Sequence, residues 1–167
     1  VKKYKPNSKI IMVDFNHQLC RSYVYLSKLY PNNNHILPDE FEMIKDFSEI
    51  KNGSFIYVPV NKYNLIQDQK VDLVSNFFSL GEMRRNFFLN YYESKLFQDS
   101  LNAYIVNRYV SAPYFDKTYD SDLTVLDYIT NTRQIKYFSE FPMTHYLITK
   151  RKLFGKSRFR NVSSNYF

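Results

Sequence analysis

The residues of this sequence that are best suited to chemistry stand at the ends of short apolar segments. Asp14 directly follows the apolar segment 10–13. In nucleoside-binding sheets a carboxylate in that place accepts hydrogen bonds from both ribose hydroxyls, and it is equally suited to cap a following helix. His17 is close to Asp14 in sequence and is a candidate to reach the same site. A structural role is the more common one for such a histidine.

The segment 75–83 is the most distinctive part of the chain, because it leads from an apolar strand into a helical pattern. Its polar and small members are Ser75, Asn76, Ser79, Gly81 and Glu82. Gly81 permits a close backbone approach or a positive φ. Glu82 is placed to act as a general base toward a substrate hydroxyl, or to complement the dipole of the following helix. Chemistry alone favours the second role for Glu82.

Asn107 and Arg108 close the next apolar segment. They are suited either to orient a substrate or to end a strand at the surface, and the sequence leaves both roles open. The three histidines show no metal-ligand spacing, such as two histidines four residues apart. The three glycines cannot build a glycine-rich phosphate loop. The sequence therefore predicts no metal site.

The elements that position these residues can be predicted from the apolar pattern. Continuous apolar segments indicate strands buried on both faces, and helical spacing indicates amphipathic helices. The predicted strands are 10–13, 54–60, 71–76 and 103–107, the predicted helices are 19–30, 41–47, 82–101 and 123–129, and 135–141 with 145–150 form a closing hairpin. This order predicts an α/β fold with a mostly parallel sheet and an antiparallel closing strand.

Four of the polar residues share a position relative to these strands. Asp14, Asn61, Ser75 and Asn107 each stand at or just beyond the end of a predicted strand. Ligands of open α/β sheets bind beyond the carboxyl ends of the strands. We therefore predict that these four residues lie on one ligand-binding edge of the sheet.

Length and composition narrow the class of protein. The 167 residues fit one domain over 1–150 and a basic tail over 151–167. The formal charge of +7 suits a nucleic-acid surface, but basic and aromatic residues do not interleave in one patch. We interpret the charge as general residue usage and expect no nucleic-acid partner. The single cysteine permits a reducing cytoplasm, and no apolar run approaches the ~18 residues of a membrane span. We expect a cytoplasmic protein without a signal peptide.

Three stretches resemble the sugar O-methyltransferases encoded in bacterial polysaccharide gene clusters. The first is Ile11–Phe15 with Tyr25–Ser27, which is similar to a strand ending in Asp and a helix with an aromatic-Leu-Ser pattern. The second and most specific is Val71–Met83, which is similar to an apolar strand followed by Ser-x-x-Glu-Met. The third is Tyr104–Arg108, which is similar to an apolar strand closed by Asn-Arg. The resemblance covers about residues 8–150.

This resemblance implies a class I S-adenosylmethionine-dependent methyltransferase with a Rossmann-like sheet of seven strands. The strands of this chain would be the second to the seventh. The first strand and its glycine-rich turn would then precede Val1, so we expect residues 1–167 alone to bind the cofactor poorly. The cofactor-binding residues implied are Asp14 at the ribose, Phe15 and Asn61 at the adenine, and Ser75, Asn76 and Phe77 at the methyl-transfer face.

The resemblance also implies a saccharide acceptor, whose hydroxyl attacks the sulfonium methyl in line. The substrate-binding residues would be Ser79, Asn107 and Arg108, and Glu82 or His17 would remove the proton of the hydroxyl. Positioning supplies much of the acceleration, because the electrophile is already activated. Some sugar methyltransferases also use a divalent metal, for which the sequence shows no ligand cluster. A homo-oligomer is among the assemblies that the sequence leaves open.

Three other functions compete with this interpretation. A non-catalytic binding or assembly domain would explain the missing cofactor loop directly. A nucleic-acid methyltransferase is prompted by the charge, but the Asn/Asp-Pro-Pro-aromatic signature is absent after the strand 71–76. Half of a nucleotide-sugar glycosyltransferase is the third, although no Glu-rich donor motif is present. A Gly-x-Gly turn encoded before Val1 would favour the methyltransferase.

Overall fold

The computed structural model describes residues 1–44, 46–107, 123–129 and 133–138. The chain divides into two compact units, Val1–Ile66 and Gln67–Phe167. Each unit contains a parallel β-sheet together with helices, so the described part of the chain has the predicted α/β class. None of the described helices combines the length and apolarity that a membrane crossing requires.

The first unit is built on a three-stranded sheet. Its elements are β1 (Ile10–Asp14), α1 (Asn16–Leu29), β2 (His35–Ile36), α2 (Pro38–Glu42), β3 (Phe55–Pro59) and 3₁₀ helices at Phe47–Glu49 and Val60–Leu65. β3 is the central strand, and both β1 and β2 pair with it in parallel. The register sets Asp14 opposite Pro59. The predicted strands at 10–13 and 54–60 and the helix at 19–30 are confirmed.

Every residue of β3 is buried because both faces of this strand are covered. Phe55 and Tyr57 point to one face and form a core cluster with Leu19 of α1. Ile56 and Val58 point to the other face, and both are 0% exposed. A strand covered on both faces needs apolar side chains at successive positions. This requirement explains why a continuous apolar segment identifies β3 in the sequence.

The loop that precedes β1 is fixed by the buried ammonium group of Lys2. Lys2 is 8% exposed, and its Nζ donates hydrogen bonds to the carbonyls of Pro6 at 3.0 Å, Ser8 at 2.8 Å and Gly53 at 2.6 Å. The ammonium also lies 4.9 Å from the centroid of the Phe55 ring. Burial lowers the pKa of the Lys2 ammonium. Its three donors meet three acceptors, so backbone carbonyls replace the water that the charge has lost.

The second unit is built on two parallel strands. Its elements are β4 (Leu73–Phe77), a 3₁₀ helix at Leu80–Glu82, α3 (Arg85–Tyr92), α4 (Lys95–Gln98), β5 (Asn102–Val106) and a 3₁₀ helix at Val125–Tyr128. Val74 and Ile105 pack from one face of the sheet against a buried core. That core consists of Leu80, Phe88, Tyr92, Phe97 and Leu123. The predicted strands at 71–76 and 103–107 are confirmed within two residues.

The other face of the β4–β5 sheet carries exposed apolar side chains. Leu73 is 47% exposed, Phe77 is 55% exposed and Tyr104 is 47% exposed. The rings of Phe77 and Tyr104 meet edge to face, with centroids 5.7 Å apart. Parallel sheets are usually covered on both faces. This face is therefore a surface on which a further element or partner could pack.

The predicted long helix at 82–101 is wrong, because the chain forms two short helices there. Ser94 has an extended backbone and is the N-cap of α4, where its Oγ accepts a hydrogen bond from the Phe97 amide at 3.3 Å. A residue in this conformation ends one helix and starts another. The apolar stripe itself is confirmed, since Phe88, Tyr92 and Leu96 are all buried.

Two smaller expectations also differ from the structure. The predicted helix at 41–47 is wrong. Phe41 belongs to α2. Asp46 accepts a hydrogen bond from the Ser48 amide and so caps a separate 3₁₀ helix at Phe47–Glu49. Residues 135–138, the start of the predicted hairpin, form no regular secondary structure. The rest of that hairpin, with the closing antiparallel strand, and the tail at 151–167 lie outside the described residues.

Candidate functional site

The carboxylate of Asp14 is exposed at the end of β1. Its Oδ1 accepts a hydrogen bond from the backbone amide of Phe15 at 2.8 Å. The N-cap of α1 is Phe15, with no side-chain hydrogen bond, so the alternative that Asp14 caps this helix is wrong. Oδ2 of Asp14 makes no hydrogen bond to any residue in the described part of the chain. This oxygen is available to accept from a ligand.

Three further predicted residues lie in the same unit as Asp14. Phe15 is 61% exposed, and its ring stacks on that of His17 with centroids 5.9 Å apart. Asn61 is exposed in the 3₁₀ helix that directly follows β3. Asp14 pairs in register with Pro59, the last residue of β3. Asp14 and Asn61 therefore both lie at the carboxyl edge of this sheet. The first unit thus presents a carboxylate, an amide and an aromatic ring at one edge.

In the second unit two asparagine side chains hold the loop after β4. Oδ1 of Asn76 accepts from the Leu80 amide at 3.1 Å, and Nδ2 of Asn76 donates to Ser79 Oγ at 2.6 Å. Oδ1 of Asn107 accepts from the Gly81 amide at 3.2 Å. The two amides are joined by a 2.9 Å hydrogen bond from Asn107 Nδ2 to Asn76 Oδ1. The loop of residues 79–81 is therefore held by side chains from the carboxyl ends of β4 and β5.

The same loop contains the one non-glycine residue with positive φ in the described part of the chain. Phe78 has φ 61°, and its amide donates to the Val106 carbonyl at 2.8 Å. For a bulky aromatic residue this conformation costs about 1–3 kcal/mol and occurs mainly where surrounding contacts impose it. The Val106 carbonyl holds Phe78 directly, and the asparagine network holds residues 79–81 that follow it. Sequence reasoning missed this feature, since nothing in the residue type Phe predicts a left-handed backbone.

Gly81 is enclosed by the side chains beneath the loop. A Cβ atom at this position would lie 3.0 Å from Tyr128 Oη and 3.2 Å from Asn107 Oδ1. The predicted close approach at Gly81 is thus observed, and it is an approach of side chains within the protein. Burial raises the pKa of Tyr128, so this phenol stays protonated through the physiological range. Its place beneath the loop could not be predicted, because it depends on long-range packing.

Exposure separates the predicted site residues of the second unit into two groups. Ser75, Phe77, Ser79 and Glu82 are exposed and can meet a ligand. Asn107 is 1% exposed, and its amide is engaged beneath the loop. Asn107 therefore positions the loop, which is a different role from the predicted contact with substrate. Arg108 lies outside the described residues.

The segment 123–129 is held by a charged contact close to this loop. Arg85 Nη1 donates to Asp127 Oδ1 at 2.9 Å, and Oδ2 of Asp127 accepts from the Thr124 amide at 2.7 Å. Burial by itself would raise the pKa of Asp127, but the Thr124 amide and the Arg85 guanidinium outweigh it and lower the pKa. The ionised form is thus favoured in the folded state.

A pH-dependent stability follows from the lowered pKa of Asp127. The folded pKa lies below the unfolded value, so the contribution is complete above the unfolded pKa and is lost as the pH falls through the folded pKa. Urea unfolding is expected to show Asp127→Asn less stable than wild type at pH 7, with a gap that closes below about pH 4. Asp99→Asn, at an exposed aspartate, is the control. A gap that is constant between pH 7 and pH 3 would contradict the assignment.

A concavity of the second unit lies away from the predicted edge. It has a volume of about 560 Å³ and is lined by Lys70, Val71, Asp72, Asp99 and Leu101. These residues precede β4 and β5, whereas Ser75, Ser79 and Asn107 lie toward or beyond their carboxyl ends. Among the described residues no group of three or more His, Cys, Asp or Glu side chains could hold a metal ion.

The structure therefore gathers the predicted residues into two sets. Asp14, Phe15, His17 and Asn61 belong to the first unit, and Ser75, Asn76, Phe77, Ser79, Glu82 and Asn107 belong to the second. A single edge containing Asp14, Asn61, Ser75 and Asn107 spans both units and stays a prediction. Comparison with known proteins gives no match to a protein-family model, to a curated protein or to a solved structure.

Proposed function

We propose that this chain carries out S-adenosylmethionine-dependent O-methyl transfer to a sugar hydroxyl. The observation that carries the proposal is the exposed Asp14 at the carboxyl end of β1, with Oδ2 available beside the exposed ring of Phe15. A strand-end carboxylate that can accept from ribose hydroxyls, next to an aromatic face for a base, is the arrangement that nucleoside binding needs. The motif resemblance then supports this particular cofactor.

The residues of the first unit fit the adenosine half of such a cofactor. Asp14 would accept from the ribose, and Phe15 and Asn61 would contact the adenine. Ser75, Asn76 and Phe77 would line the methyl-transfer face in the second unit. When bound, the cofactor would supply an activated methyl group. The three glycines of the chain, Gly53, Gly81 and Gly155, do not form a glycine-rich turn for the methionine half.

The exposed residues of the loop after β4 would then act on the acceptor. Glu82 is exposed and can take the proton of a hydroxyl, and Ser79 can donate a hydrogen bond to the sugar, because its Oγ already accepts from Asn76. The asparagine network would keep both residues in place during the reaction. His17 is exposed in the first unit and stays a second candidate base.

The strand pairing also supports this proposal. β1 pairs with β3 and β4 pairs with β5, all in parallel, as the second, third, fourth and fifth strands of the family would. β1 and β4 are each an edge strand of their own sheet among the described residues.

Replacement of Asp14 tests the cofactor assignment. Asp14→Ala in the full-length protein is expected to weaken S-adenosylmethionine binding by about 5- to 150-fold, which corresponds to the 1–3 kcal/mol lost when hydrogen-bonding groups are left unpaired. Calorimetric titration measures this change, with Asp39→Ala at an exposed aspartate of α2 as the control. Unchanged affinity would remove Asp14 from the site. No binding to the wild-type protein would remove the proposed function itself.

A non-catalytic assembly domain is the second candidate, and the exposed apolar face of β4–β5 favours it. Leu73, Phe77 and Tyr104 would then be covered by a partner. The cofactor titration distinguishes the two functions, because an assembly domain needs no S-adenosylmethionine affinity.

A further inference from the structure

Two buried hydrogen-bond donors of the second unit have no partner within the described residues. They are the hydroxyl of Tyr92 and Nε of Arg133. Tyr92 is the last residue of α3 and is only 8% exposed. Native proteins pair about 90% or more of such groups, and an unpaired one is costly and calls for an explanation. Two in the same unit indicate an acceptor that the described residues do not supply.

Both donors border the ring of Phe97. The Tyr92 and Phe97 ring centroids are 4.8 Å apart, and the guanidinium carbon of Arg133 lies 5.8 Å from the Phe97 centroid. Burial raises the pKa of Tyr92, while the charge of Arg133 acts in the opposite direction. The phenol and the guanidinium are thus close enough to interact electrostatically.

Within the described residues, the remaining contacts of Arg133 include no counter-charge. Nη2 donates to the carbonyls of Phe97 and Gln98 and to Ser100 Oγ. It therefore satisfies backbone carbonyls at the C-terminal end of α4. Carbonyl and hydroxyl acceptors are neutral, and no carboxylate among the described residues pairs with Arg133. The carboxylate of Asp127 also acts on Tyr92, but it is engaged by Arg85.

We propose that Tyr92 Oη and Arg133 Nε form an internal site for one oxygen of a small oxyanion, with the chemistry of inorganic phosphate or a carboxylate. Both groups donate, so the ligand must accept. Arginine binds such oxyanions through charge-assisted hydrogen bonds, and an anion compensates a charge that a water molecule would leave unbalanced. Arg133 as a whole is only partly buried, whereas its Nε is buried. This site is independent of the proposed methyl transfer.

Thermal unfolding in sodium phosphate, in sodium acetate and in sodium chloride of equal ionic strength tests the site. The Tm of the wild-type protein is expected to rise saturably with phosphate, with acetate or with both, by roughly 3–8 °C relative to chloride. Tyr92→Phe and Arg133→Met are expected to lose most of that rise. Tyr104→Phe and Lys95→Met, which remove the same hydroxyl and the same charge at exposed positions, should keep it.

Tyr92→Phe keeps the test decisive even if Arg133→Met fails to fold. The ring retains its packing on Phe88 and Phe97, and the variant removes a hydroxyl without a partner. In chloride it should therefore be at least as stable as wild type, whereas in the stabilising anion wild type should be the more stable. An equal Tm shift in both proteins, or no saturable shift with either anion, would overturn the proposal. The anion that gives the shift identifies which of the two chemistries the site takes.

Discussion

Replacement of Asn107 by leucine is expected to lower the unfolding free energy of the second unit by about 2–4 kcal/mol. Asn107 is 1% exposed, and its amide joins the Gly81 backbone to the side chain of Asn76. Leucine has a similar size but cannot make either hydrogen bond. The Gly81 amide would be left buried without its acceptor, and the loop that follows the strained Phe78 backbone would lose part of its support.

Two further variants separate the hydrogen bonds from the packing. Asn107→Asp keeps the acceptor for the Gly81 amide but sets a carboxylate oxygen against Asn76 Oδ1, so it should also destabilise. Asn102→Leu, at an exposed position of β5 whose amide makes a 3.3 Å contact with the Asp72 carbonyl, should change stability by less than about 0.5 kcal/mol. Urea unfolding measures all three. Equal stability of Asn107→Leu and Asn102→Leu would show that the network does not hold the loop.

Replacement of Lys2 by methionine is expected to lower the unfolding free energy of the first unit by about 2–4 kcal/mol. Methionine keeps most of the apolar stem but removes all three donors. The carbonyls of Pro6, Ser8 and Gly53 would then face one another without a cation. The loop before β1 should detach from Gly53, which a protease-sensitivity assay can detect directly.

Lys3→Met is the matched control for Lys2→Met. Lys3 is exposed and its ammonium lies 5.7 Å from the ring of Tyr4, so its loss should change stability by less than about 0.5 kcal/mol. Both variants remove one positive charge from the same segment. A similar unfolding free energy for the two variants would mean that the three carbonyl contacts of Lys2 contribute nothing.

The central strand β3 could be predicted from the sequence because burial on both faces demands a continuous apolar segment. Phe55–Pro59 shows this most clearly, since all five residues are buried. The helix predicted at 82–101 failed for a local reason. Ser94 is a good N-cap residue, and reading it as a helix start would have divided the segment correctly. The short strand β2 gives no such signal, because two residues cannot show a pattern.

The candidate site could be predicted only as far as the residue types at strand ends. Asp14 and Glu82 are candidate site residues by sequence, and the structure leaves both of them exposed. Asn107 is likewise a polar residue just after a strand, as Asn61 is, but it is buried beneath the loop. What decides its role is the pairing of β4 with β5, which brings it under Gly81. That pairing joins distant parts of the chain and is invisible to any local pattern.

Parallel pairing also governs how this chain must fold. In the described part of the chain every strand pair is parallel, so no strand can form a tight hairpin with its sequence neighbour. The segment that contains α1, β2 and α2 lies between β1 and β3 in sequence. β1 can therefore gain its hydrogen bonds only when β3 has been brought back beside it. β4 likewise waits for α3 and α4. The entropy of loop closure is thus lost before strand pairing stabilises the fold. Folds of this topology form slowly. The backbone hydrogen bonds of helix α1 are local, so this helix can form before that closure.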